Sequence, residues 1–240
     1  PPHQGEIIVG AVPWEFSKTR ASIKSEVAVP GEDTEDLIQN GFGAGSASQC
    51  ELAQKPEYCS PLTGLKVVDA TQGFAGPYLG LLLAEAGAEV IKIEPPQGDW
   101  ARQLAPQTPS GNSALFEAFN RNKKIRVLDL ESLKGRTELR SLVDSAAIFI
   151  EDWGPGVAEN RSLGYEVLKA GNPGLVYQAL SSFGEKGPLR DRPGSELVIQ
   201  AMTGYLRLLG SLDQPPVRVG SDIVATCTGS VAFIGVLAAL

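Results

Sequence analysis

The chain has 240 residues, 42% of them hydrophobic and 20% charged, which is enough to bury one full core with a smaller attachment. Its formal net charge of −7 excludes a general nucleic-acid or membrane-surface binder, because both need a basic face. Cys50, Cys59 and Cys227 lack CxxC spacing, which argues against a disulfide framework or a zinc site and for a reducing compartment, and the single histidine, His3, leaves no well-placed imidazole for catalysis.

Taken in order, residues 5–12 (GEIIVGAV) read as a strand closed by Pro13, and 33–40 as a short acidic helix with Gly41 as its cap. Residues 41–48 are rich in Gly, Ala and Ser, and the polar stretch that follows reads as a linker. The divisions expected are therefore an opening segment over 1–48, a linker over 49–62, and a fresh domain over 63–240. The polar, Pro-rich start lacks the pattern of a secretory leader, and the closing apolar run, 230–240, is too short to cross a membrane. A start without Met and an end inside an apolar helix are what a piece of a larger protein would show.

Residues 65–98, LKVVDATQGFAGPYLGLLLAEAGAEVIKIEPPQG, organise the domain. Strand 65–70 runs through a Gly-containing turn, 71–76, into a helix opened by Pro77 and stopped at Gly87, and then into strand 89–94. Two short apolar strands joined through a helix imply a right-handed crossover in a parallel sheet covered on both faces. A long polar loop, 95–112, holds Trp100 and Arg102. Beyond it the pattern predicts helix 114–119, strand 125–130, helix 133–145, strand 146–151, a turn DWGPG at 152–156, helix 165–170 and strand 174–180. Helix 196–208, a strand at 217–219 and the terminal helix complete the chain. This alternation predicts an α/β fold, a Rossmann-like doubly wound parallel sheet, which takes ligands at the carboxyl ends of its strands.

Several residues could carry chemistry. Arg121, Lys123, Lys124 and Arg126 form a basic cluster that reads either as solvated charge or as phosphate ligands. The turn TQGFAGP lacks G-x-G-x-x-G, so a nicotinamide oxidoreductase has only the generic βαβ unit and Glu94, as a ribose-binding acid, to recommend it. Glu196 reads as a helix N-terminal acid or an active-site carboxylate, and Asp222 carries the same ambiguity. Cys227, inside an apolar helix and without a histidine partner, reads as core.

The stretches GLKVVDATQGFAGPYLGLLLAEAGAEVIKIEPPQGD, NRNKKIRVLDLES, GPGVAENRSLGYEVL, NPGLVYQALSSFGEKGP, RPGSELVIQAMTG and PPVRVG with TGSVAFIGVLAAL resemble the amino-terminal half of the family III CoA-transferases. The match runs unbroken from Gly64 to Leu240. VPWEFSKT and AVPGEDTEDLIQNGF, near the start, resemble the carboxyl-terminal tail of the same family. Tail before head suggests the junction of a tandem two-copy member.

The resemblance implies coenzyme A or acyl-CoA as a substrate, a carboxylic acid as its partner, no metal, and an interlocked association with the other copy or with a second subunit. It also implies a cytoplasmic or organelle-matrix setting in acyl-CoA metabolism. CoA contacts match Gly73, Phe74, Ala75, Leu128, Asp152 and Trp153. Two family arginines facing the CoA phosphates fall on Pro95 and Asn160, so Lys123, Lys124 and Arg161 are the expected substitutes. Family members use an aspartate nucleophile. Its position matches Ala225, which leaves this half without that group unless Glu196 or Asp222 replaces it. The racemase histidine matches Ser195.

Overall fold

The computed structural model describes residues 31–41, 60–208, 213–220 and 222–240. The strand expected over 5–12, residues 49–59 of the expected linker, His3, Cys50 and Cys59 lie outside the described residues.

Strands β1 (Lys66–Asp69), β2 (Glu89–Glu94), β3 (Lys123–Val127), β4 (Ile148–Glu151) and β5 (Val176–Ala179) form one sheet in the order β3-β2-β1-β4-β5, every neighbouring pair parallel. The direction of winding reverses between β1 and β4. Loops leaving those two strands diverge, which opens a crevice at their carboxyl ends.

Alternation along each strand splits the core into two layers. Val67, Val90, Ile148 and Ile150 pack with Leu79, Leu82 and Leu83 of α2 (Ala75–Glu85) and with Phe233 and Val236 of α8 (Ile223–Ala239). On the other face, Val68, Ile91, Ile93 and Phe149 pack with Leu139 and Val143 of α4 (Leu133–Asp144) and, beyond the short α5 (Val157–Asn160), with Leu168 of α6 (Tyr165–Gly171). Each of these fully buried side chains contributes about 1.5–3 kcal/mol. α8 can approach α2 because residue 229 is glycine: a Cβ there would lie 2.7 Å from the Ala75 carbonyl oxygen. No helix among the described residues is long and apolar enough to cross a membrane.

The edge strand β3 is met by α1 (Thr34–Asn40), which follows Asp33 and ends at Gly41. Asp33 accepts a hydrogen bond from the Ile125 amide at 3.3 Å, Arg126 donates to the Thr34 carbonyl at 2.7 Å, and Leu37 is buried in the core layer beneath.

Some elements differ from the sequence reading. α2 begins at Ala75, so Pro77 stands inside its first turn rather than at its opening. α3 (Ala114–Asn120) passes straight into β3, because Asn122 adopts φ 65° and turns the chain at once. β3 therefore spans 123–127, so Lys123, Lys124 and Arg126 belong to the strand itself while Arg121 closes α3. The helix expected over 196–208 ends at Met202 as α7 (Glu196–Met202); Gly204, at φ 75°, breaks it before a single 3-10 turn, Tyr205–Arg207. Residues 217–219 pair with no strand among the described residues, and the Val217 amide bonds the Leu206 carbonyl at 3.2 Å instead.

Candidate functional site

The carboxyl ends of β1 and β2 place two charges side by side, since Asp69 is level with Lys92 in the parallel register. Both are fully buried. Lys92 Nζ meets Asp99 Oδ2 at 2.9 Å and donates to the Thr71 carbonyl at 2.8 Å. Lys123 Nζ meets Asp69 Oδ2 at 3.0 Å and donates to the Pro77 carbonyl at 2.7 Å and to Asn120 Oδ1 at 3.0 Å. Buried charges persist only when paired and hydrogen-bonded in this way. Burial works against the charge of Asp69, yet Lys123 and Lys92 outweigh it and hold the carboxyl below its ordinary value. Burial brings Lys123 down to about 8 against the opposing pull of Asp69. For Lys92, burial is outweighed by Asp69 and Asp99, and its pKa rises.

This network fixes the turn after β1. The Gln72 amide donates to Asp152 Oδ2 at 2.9 Å, and the Gly73 amide donates to Asp99 at 3.1 Å. Gly73 sits at φ 78° beneath Trp100, whose ring would be 2.2 Å from a Cβ placed there. Phe74 packs edge-on against Trp100 with centroids 5.5 Å apart. In a dinucleotide fold the amides of this turn would receive phosphate. Here carboxylates already occupy two of them. Glu94 is no ribose acid either, because it is buried and chelates Arg102 through Nε at 2.9 Å and Nη2 at 2.8 Å.

Beside the turn, a cleft of about 400 Å³ opens at the switch point. Leu128, Asp152, Trp153 and Arg161 all line it, together with Gln72 and Trp100. Trp153 is oriented by its indole N–H, which donates to the Ala70 carbonyl at 3.1 Å, and Arg161 lies 5.0 Å above the ring. Burial pushes Asp152 up to about 7 and its neighbour Glu151 up to about 7. Glu151 accepts from the Trp153 amide at 2.8 Å and from the Tyr177 hydroxyl at 3.3 Å.

Two of the expected phosphate ligands are paired with carboxylates in this structure. Lys123 is enclosed with Asp69, and Lys124 pairs with Glu89 at 3.1 Å, at the amino end of the sheet. Arg121 pairs with Glu85 at 2.5 Å and Arg126 with Glu138, so the whole cluster is taken up by carboxylates. Arg161 alone of the expected cations faces the cleft.

A different arrangement surrounds Ala225. Glu196 caps α8: its Oε1 accepts from the Val224 amide at 2.9 Å and from Gln200 Nε2 at 2.7 Å, and its Oε2 accepts from the Ala225 amide at 3.0 Å. Asp222 precedes the helix without a side-chain capping bond and meets Arg218 at 3.4 Å. Ser195 caps α7 through the Val198 amide. Cys227 is exposed rather than core, and borders an apolar groove of about 630 Å³ with Ile199, Ile223 and Val231. Among the described residues no group of three or more His, Cys, Asp or Glu could hold a metal.

Sequence reasoning missed Lys92 and Asp69 because it read their strands as apolar, and Asp99 because it lies in the polar loop after β2. The signal was present: Lys92 and Glu94 alternate with Ile91 and Ile93, which puts two charges on one strand face.

A doubly wound parallel sheet with an aromatic-walled cleft at its switch point is the arrangement at which folds of this class take their ligands. The chain belongs to CoA-transferase family III, whose model matches residues 62–240. It is 38% identical over 181 residues to the succinyl-CoA–D-citramalate CoA-transferase of Chloroflexus aurantiacus, covering 75% of this chain and 45% of that one. It is 35% identical over 187 residues to the succinyl-CoA:mesaconate CoA-transferase of Haloarcula hispanica, covering 75% and 47%. The crystal structure of a CaiB/BaiF family protein from Brucella suis matches with a TM-score of 0.72 and 37% identity, over 75% of this chain and 49% of that one. The chain thus spans about half the length of the curated relatives it matches.

Proposed function

We propose that this chain is the CoA-binding Rossmann-like part of a family III CoA-transferase that moves CoA from an acyl-CoA to a carboxylic acid. The observation that carries the reading is the switch-point cleft, where Leu128, Asp152, Trp153 and Arg161 converge beside the Gly73–Phe74–Ala75 turn. The nucleotide end of CoA would lie in the cleft beside the Trp153–Arg161 pair, and pantetheine would pass the turn toward the start of α8. Gly229, packed against the Ala75 carbonyl, supports that path by bringing α8 and the turn together.

The same reading makes this half silent in acyl transfer. A methyl group stands at 225, and neither nearby carboxylate is a ready substitute. Both oxygens of Glu196 are committed to α8, and Asp222 is turned to Arg218. Transfer would then depend on an aspartate outside these residues, in the other copy of a tandem or in an interlocked second subunit. Exposed Val231, Ile234 and Leu237 along α8 support such a partner. The opening segment, 1–48, would belong to the preceding copy, and a cytoplasmic or organelle-matrix location completes the reading.

The test is titration calorimetry of the full-length protein with CoA and with NAD. Micromolar CoA binding, weakened at least tenfold by Trp153→Ala, supports the proposal; NAD binding in its place would overturn it. Hydroxylamine trapping after incubation with acyl-CoA should recover no acyl group from Glu196 or Asp222.

A further inference from the structure

Arg161 is the one cation among the described residues that line the cleft, and it is already engaged. Its Nη2 lies 2.6 Å from Glu131 Oε1, another lining residue. The other basic groups nearby are spent: Lys92 on Asp99, Lys123 on Asp69, and Arg102 on Glu94. The Gln72 and Gly73 amides are held by Asp152 and Asp99. An entering phosphate therefore meets a single guanidinium with a carboxylate already on it.

The pair is built unequally. The Glu131 side chain is 78% exposed, against 26% for Arg161. Trp153 lies beneath the guanidinium, which keeps its plane in place whatever anion it holds. The loop carrying Glu131 is also held through its backbone. The Glu131 amide donates to Asp129 Oδ1 at 3.0 Å, and Arg136 donates to the carbonyls of Leu130 at 2.9 Å and Glu131 at 2.8 Å. Displacing the carboxylate requires only the Glu131 side chain to swing into water.

We infer that Glu131 is an intramolecular competitor for ligand phosphate on Arg161, and so sets how strongly the cleft prefers a phosphorylated nucleoside to an unphosphorylated one. The inference rests on the reading of this cleft as the CoA site. Carboxylate and phosphate both match the guanidinium fork, so they compete for the same donors. Exposed ion pairs are weak, and the exchange is correspondingly easy. Glu131 is a specificity-determining residue in this scheme: it covers Arg161 when the cleft is empty and gives way to phosphate.

The experiment is calorimetric titration of the full-length protein with CoA, dephospho-CoA and adenosine, comparing wild type with Glu131→Gln, Arg161→Gln and the double variant. Removing the competitor should tighten CoA binding by about three- to fivefold, the ceiling set by a weak exposed pair. Adenosine affinity should not change, which separates competition from a general effect on the fold. Arg161→Gln should weaken CoA and abolish the gain from Glu131→Gln. If Glu131→Gln leaves CoA affinity unchanged or lowers it while wild type binds CoA, the competitor role is overturned and the CoA reading stands. An equal gain with and without Arg161 would also overturn it, since that is the signature of diffuse charge repulsion. If none of the three ligands binds wild type or any variant, both the inference and the CoA reading fall.

Discussion

Replacing Glu196 with Ala tests whether this carboxylate is a structural cap rather than a nucleophile. The side chain holds two amides that the first turn of α8 would otherwise leave open, at 2.9 and 3.0 Å. Losing a cap costs ~0.5–2 kcal/mol. Removing a negative charge from the positive end of a helix costs a further ~0.3–1 kcal/mol. Taken together the loss is about 2 kcal/mol, which in a chain of this size lowers Tm by roughly 4–8 °C. Glu196→Gln keeps the shape and one acceptor oxygen and should lose about half as much. Thermal unfolding followed by circular dichroism reads both variants. An unchanged Tm in the Ala variant, or an acyl group recovered from Glu196 in the wild type, would refute the reasoning.

Three further outcomes follow from the site. Gly73→Ala forces a Cβ into Trp100 at a positive φ, and should cost about 2–4 kcal/mol in urea unfolding with loss of CoA binding in calorimetry. Lys92→Met strips Asp99 of its cation and should cost about 3–5 kcal/mol by the same assay; adding Asp99→Asn should restore part of it, because the amide can still accept from Gly73. Glu151 and Asp152 are raised from ordinary values of 4.5 and 3.8 to about 7, so the folded state binds more protons than the unfolded one between those limits. Their contribution is full below pH ~4 and is lost as pH rises through ~7. Asp152→Asn should flatten that part of the profile in a series of melts, and an unchanged slope would count against the burial argument.

The sheet was legible because parallel strands buried on both faces read as short apolar runs, as at 65–70 and 89–94. Their ends were less so. The start of β3 depended on a left-handed Asn122, a conformation that no hydrophobic pattern reveals. The residues around the cleft were reached through a resemblance, and the fold gathered Leu128, Asp152, Trp153 and Arg161 from three separate loops. The state of the cations could not be read in one dimension. Lys123 and Lys124 are neighbours in sequence, but alternation sends one beneath α2 and the other to Glu89. Glu196 and Ala225 are separated by 28 residues, and only the packing of α7 on α8 shows that one caps the other.

The meeting of α1 with β3 has a consequence for how the protein keeps its own company. An outermost parallel strand presents a row of donors and acceptors that any extended peptide could zip onto. By lending Asp33 to the Ile125 amide and receiving Arg126 at Thr34, the helix seals part of that seam. Removing it would leave a sticky border, and the first symptom should be self-association rather than loss of the cleft.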